Sequence, residues 1–165
     1  MMSNRFTDAL FQLIRSLEKA EKRHFKLYIK RSSAKENLKI IQLFDALDKM
    51  PDYDEKLLLK KLPSITKPQL ANLKTHLYKQ LLASLRLVKN AENIDLQLSE
   101  QLDYARLLYN KGLKIQALKT LEKAKELARA NQKFNSMAQV ISLEKKIETL
   151  HITRSPIERA ETLAT

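Results

Sequence analysis

The chain has 165 residues, 44% of them hydrophobic, a formal net charge of +12, and no cysteine. This length suits one domain or a piece of a larger one and can bury a core, while the missing cysteine excludes disulfides, thiolate nucleophiles and thiolate metal sites. A single glycine, and a prevalence of Leu, Lys, Ala, Glu and Gln, exclude a turn-rich β protein and favour helix.

Phe6, Leu10, Leu13, Ile14 and Leu17 recur at helical spacing and predict a first helix over about 5–17. Asp8 and Arg15 interrupt this stretch, so it lacks the apolar run of a signal peptide. A second helix over about 19–31 turns Phe25, Leu27, Tyr28 and Ile29 inward. Ser33, Ala34, Lys35 and Glu36 form a capping box, in which Ser accepts from an early N–H and Glu reaches back. It opens a third helix carrying Leu38, Ile41, Leu43, Phe44 and Leu47, which ends before Pro51. Asp52, Asp54 and Glu55 begin a short fourth helix that Pro63 stops.

Thr66, Lys67, Pro68 and Gln69 form a second capping box, with Pro in the first turn where no N–H is missed. The helix it opens runs to about 89 along a seam of Leu70, Leu73, Leu77, Leu81, Leu85 and Val88. Asn72, Thr75, His76, Lys79 and Arg86 lie on the opposite face. After a polar break at 90–93, Leu98, Leu102, Ala105 and Leu108 or Tyr109 mark another helix. Gly112 ends it, because glycine adopts positive φ without penalty. Ala117, Leu121, Ala124 and Ala128 mark the returning helix, widened by Leu118 and Leu127. A further helix over about 133–150 carries Met137, Val140, Ile141, Leu143 and Ile147. Ser155, Pro156, Ile157 and Glu158 read as a third capping box with few residues left after it, as if further helices followed position 165.

No segment sustains the alternation of a strand, and no apolar run is long enough to cross a membrane. The expected class is all-α: a helical bundle leading into an antiparallel helix array, in a soluble, cytoplasmic protein. A basic helical region, 1–91, and the hairpin with its following helix, 92–165, are expected to form one continuous fold.

The stretch 98–131 resembles a tetratricopeptide repeat, which pairs two helices in about 34 residues with small side chains where they cross. Ala105 matches the small residue in the first helix, and Gly112 and Ala117 match the glycine-to-alanine step across the turn. Leu121 takes the place of the large residue in the second helix, and Ala124 that of its small partner. Tyr104 and Leu108 fill neighbouring apolar positions. Gln101 and Arg129 depart from the family, which often has Trp and Pro there. The resemblance implies a stacking scaffold that holds peptides on the first helix of the pair. Ser99, Leu102, Arg106, Tyr109 and Asn110 are the matching candidates. Arg106 and Asn110 would meet a partner's carboxylate or backbone, and Tyr109 would give apolar contact.

Charge offers a second reading. Residues 1–90 hold 19 Lys/Arg against 9 Asp/Glu, and 56–91 hold no acid. The fourth and fifth helices, with the turn at Leu62, Pro63, Ser64 and Ile65, outline a helix-turn-helix. Lys60, Lys67, Gln69, Asn72, Thr75, Lys79 and Arg86 would then face nucleic acid. Tyr78 is the only aromatic in the patch, which argues against a stacking platform for single strands. No catalytic, cofactor or metal residues are expected. His24, His76 and His151 have no triad or ligand spacing around them, and one glycine cannot make a phosphate loop.

Overall fold

The computed structural model describes residues 8–31 and 35–164, with side chains described up to Leu150. Among the described residues the chain is all-α: eight helices and no strand. It divides into two compact units, 1–89 and 90–165, each with its own core.

The first unit contains α1 (Ala9–Ser16), α2 (Lys19–Lys30), α3 (Lys35–Lys49), α4 (Glu55–Lys61) and α5 (Lys67–Lys89). Local chemistry fixes the starts. Asp8 Oδ1 accepts from the Phe11 N–H at 2.8 Å and caps α1, and Asp54 Oδ1 does the same for Leu57 at 3.1 Å. The Glu21 carboxylate takes the Glu18 N–H at 2.9 Å at the head of α2, and Gln69 Oε1 takes the Thr66 N–H at 3.2 Å at the head of α5. The α5 seam faces inward, with Leu70, Leu77 and Leu81 buried and Leu73 and Leu85 packed beside them. This helix packs against α1, α2 and α3, while α4 packs against α3. Phe25 of α2 meets Phe44 of α3 with ring centroids 4.9 Å apart. Lys22 and Lys26 reach from α2 to Asp48 and Asp45 of α3 at 2.6 and 2.7 Å.

Some expectations differ here. Leu27 and Leu38 point outward, and Ile29 and Ile40 take the buried positions. Each pair lies two residues apart, about 200° around a helix, so the two cannot share one face. The packed neighbours decide which is covered, α3 and α5 for α2, and α1, α2 and α5 for α3. Phe6 and the Ser33 capping box lie outside the described residues.

The second unit contains α6 (Ile94–Asn110), α7 (Lys114–Ala130) and α8 (Phe134–Ala164). Asn93 caps α6, accepting from Asp95 and Leu96 at 2.9 and 3.2 Å. Helix α7 packs against both α6 and α8 in an antiparallel array. Ala105, Ala117, Ala124 and Ala128 are buried at the crossings with Leu98, Leu102, Leu121, Val140 and Ile147. Small side chains let the backbones approach, so Ala117→Leu is expected to overpack the α6–α7 crossing. The cost should be about 1–3 kcal/mol in urea denaturation; no measurable cost would mean the crossing is loose.

The two turns of this array are the same Schellman motif. At the first, Gly112 has φ 79°, Leu113 N–H bonds Leu108 C=O at 2.9 Å, and Gly112 N–H bonds Tyr109 C=O at 2.9 Å. At the second, Gln132 holds the left-handed position with φ 54°, and Lys133 N–H bonds Ala128 C=O at 2.8 Å. One turn has the residue that suits positive φ and the other does not. Gly112→Val should therefore destabilise by at least about 1 kcal/mol, although a Cβ there meets nothing within 4 Å. Gln132→Gly should stabilise by about 1 kcal/mol. Thermal unfolding of the two variants checks both signs.

The third capping box does not start a helix. The backbone of α8 runs without a break from Phe134 through Pro156 to Ala164. Pro removes one donor and is disfavoured inside a helix. Yet no Gly or Asn precedes it between 147 and 155 to stop the chain, and Ser and Glu also fit a helix interior. The side chains of 155–158 lie outside the described set.

Candidate functional site

Helix α6 places its five candidates on two faces. Ser99, Arg106 and Asn110 are exposed along one flank. Leu102 is not with them: it is 4% exposed and belongs to the core, and Tyr109 is half-buried against the same core. Helical geometry explains the split, because Leu98, Leu102, Ala105 and Tyr109 follow one stripe that α7 covers. The flank also holds two residues that the sequence reading passed over. Asp103 pairs with Arg106 at 3.2 Å, and Asp95 pairs with Lys133 at 2.8 Å. Both pairs are exposed and so hold little energy. They make the flank mixed in sign, so it can meet either charge of a ligand. Asp103 was legible as the i,i+3 partner of Arg106; the Lys133 pairing needs the fold.

In the first unit, Lys60 is exposed on α4, and Lys67, Gln69, Asn72, Thr75, Lys79 and Arg86 are exposed on α5. Asn72, Thr75, Lys79 and Arg86 share one outward face, spaced within about 60° of each other. Gln69 stands on the side toward α3. Lys60 is on a helix whose partner is α3, so its ammonium and the α5 face belong to differently packed helices.

Lys74 and Lys89 of the acid-free stretch are used internally. Lys89 pairs with Glu21 at 3.3 Å. Lys74 binds the Asp8 carboxylate and the Tyr53 hydroxyl, the latter at 2.8 Å, with its ammonium 4.5 Å from the Tyr53 ring centroid. Burial pulls the Lys74 pKa down, but the bonds to Asp8 and Tyr53 outweigh it and the net shift is upward. The Tyr53 hydroxyl is pushed up by burial, which the Lys74 bond only partly offsets. A raised folded-state pKa means the charged lysine stabilises below the usual lysine range, and this contribution is lost as pH rises through the shifted value. Lys74→Met leaves the half-buried Asp8 carboxylate without its cation and should cost about 1–3 kcal/mol at neutral pH. The difference between wild type and variant should be flat from pH 6 to 9 and shrink only in strong alkali, measured by urea denaturation across that range.

His24 Nδ1 lies 2.9 Å from Ser84 Oγ, but Ser84 is 2% exposed and closed to a substrate. Among the described residues no group of His, Asp or Glu is placed to hold a metal ion, and no helix is long and apolar enough to cross a membrane.

A groove that the sequence reading missed runs between α3 and α5 and along the end of α2. One chamber, about 380 Å³, lies between Glu36 and Lys39 on α3 and Gln69, Asn72, Leu73 and His76 on α5. A second, about 440 Å³, is lined by Tyr28 and Arg31, by Glu36 and Asn37, and by His76 and Gln80. Glu36 and His76 line both, so the chambers adjoin. His76 Nε2 lies 3.0 Å from Gln80 Nε2, and Asn37 Nδ2 donates to Ile29 C=O at 3.3 Å. The signal was partly present in the sequence, since Asn72, His76 and Gln80 recur at four-residue steps.

Comparison with protein-family models, curated proteins and solved structures returns no match.

Proposed function

We propose that this chain is a non-enzymatic helical-repeat scaffold, tetratricopeptide-like in its second unit, that holds peptide segments of partner proteins. One observation carries the reading: α6 seals its apolar stripe onto α7 through Ala105 and Ala117 while keeping Ser99, Arg106 and Asn110 outward in line. A rigid helix with an ordered polar flank suits short-peptide recognition, because its side chains are positioned before the ligand arrives. The helix pair is longer than the family's. From Ile94 at the start of α6 to Phe134 at the start of α8 the step is 40 residues, against about 34, so each helix has about one extra turn.

The test is selection of displayed peptides of about ten residues against the full chain. Peptides held by α6 should bind about tenfold more weakly to the Arg106→Ala, Asn110→Ala double variant, whose exposed sites leave folding unchanged. Equal binding to both proteins would remove α6 as the site.

A second reading has its own support. Lys79 and Arg86 share an exposed face with Asn72 and Thr75, in a stretch without acids. That face would track a phosphate backbone.

A further inference from the structure

The α3–α5 groove uses none of the α6 candidates and shares only Asn72 with the outward face of α5. Its α5 wall carries Gln69, Asn72, His76 and Gln80, at steps of three, four and four residues. A four-residue step is about 6 Å along a helix. An extended peptide turns successive N–H and C=O pairs to the same side every two residues, about 6.6 Å. The two repeats nearly match over the groove's length. From Gln69 to Gln80 the wall is about 16 Å long, which an extended chain covers in about five residues.

The chemistry fits a peptide backbone. A carboxamide offers both an acceptor and donors, as a peptide unit does. Part of this capacity is used at home: Gln69 Oε1 holds the Thr66 N–H, and Gln80 Nε2 meets His76. The Gln69 amide N–H groups, both ends of Asn72, the Gln80 carbonyl and the second ring nitrogen of His76 remain for a ligand. Glu36, where the chambers meet, can accept from peptide N–H groups. The same carboxylate repels a phosphate backbone where the chambers meet, with Lys39 and Arg31 set to either side of it. Among the described lining residues only the Tyr28 and His76 rings are aromatic, too few to stack a nucleic-acid strand along the groove. The geometry points to an extended peptide segment of about five residues, bound by its backbone along α5, as the occupant of this groove.

The same display selection against the full chain tests this independently of α6. One class of selected peptides should lose about tenfold in affinity on Asn72→Leu with Gln80→Leu. It should lose as much when alternate backbone amides are N-methylated, and nothing on Arg106→Ala with Asn110→Ala. Asn72→Ala, at an exposed helix position, repeats the test with a smaller change; thermal melts of all variants show that the fold is kept. Peptides that respond only to the α6 variant would overturn the groove and leave α6 standing. Insensitivity to N-methylation, or displacement by a mixed-sequence single-stranded oligonucleotide, would overturn backbone recognition of a peptide.

Discussion

Phe44→Ala is expected to cost about 3–5 kcal/mol, among the largest losses of any single truncation in the first unit. Phe44 is fully buried, and its ring sits 4.9 Å from that of Phe25. Leu43 and Leu47 of α3 and Leu77 and Leu81 of α5 belong to the same core. Removing the ring forfeits its transfer energy, and the cavity adds a second cost, because the packed walls from α2, α3 and α5 collapse only in part. Against a typical total of about 5–15 kcal/mol, that is about a fifth of the stability or more. The midpoint of urea unfolding reads it directly. Leu38→Ala on the same helix, where the side chain is 64% exposed, should change stability by less than about 0.5 kcal/mol. A ratio near one between the two variants would mean that α3 has been turned the wrong way.

What could be read from the sequence was whatever depends on neighbours within a turn or two. The α5 seam, the α6–α7 turn at Gly112 and the small residues Ala105, Ala117 and Ala124 are set by period and by backbone preference, and they fold accordingly. Gln132 was hidden because nothing in a glutamine announces positive φ; the 6→1 bond from Lys133 to Ala128 imposes it. The repeat resemblance puts Leu102 and Tyr109 among the ligand contacts by position on the first helix, while the helix turns them toward the core shared with α7. The Asp8–Lys74–Tyr53 cluster joins residues up to 66 positions apart, and no local pattern encodes such a distance. The α3–α5 groove was missed for the same reason. Its α5 wall is periodic, but its depth exists only where α2 and α3 come to rest beside that wall.

The second large effect separates the two binding surfaces by salt. A ligand held on α6 meets one guanidinium, Arg106, already paired with Asp103. Few counterions are released there, so peptide affinity should fall less than about tenfold between 50 and 200 mM salt. A duplex lying on Lys60, Lys67, Lys79 and Arg86 would neutralise about four phosphates, giving a slope near −3.6 and a loss of about a hundredfold over the same range. Changing all four to Gln would then flatten the slope by between three and four units. All four side chains are exposed, so the change should leave folding intact. Affinity for a mixed-sequence duplex and for a selected peptide, each measured at both salt concentrations, decides between the surfaces. The expected result is a shallow slope for the peptide, unaltered in the four-Gln variant, beside weak and sequence-blind duplex binding. A steep duplex slope that the four changes abolish would move the function to α4 and α5, and discrimination among duplex sequences would further assign Asn72 and Thr75 to base edges, since phosphate contacts carry no sequence information.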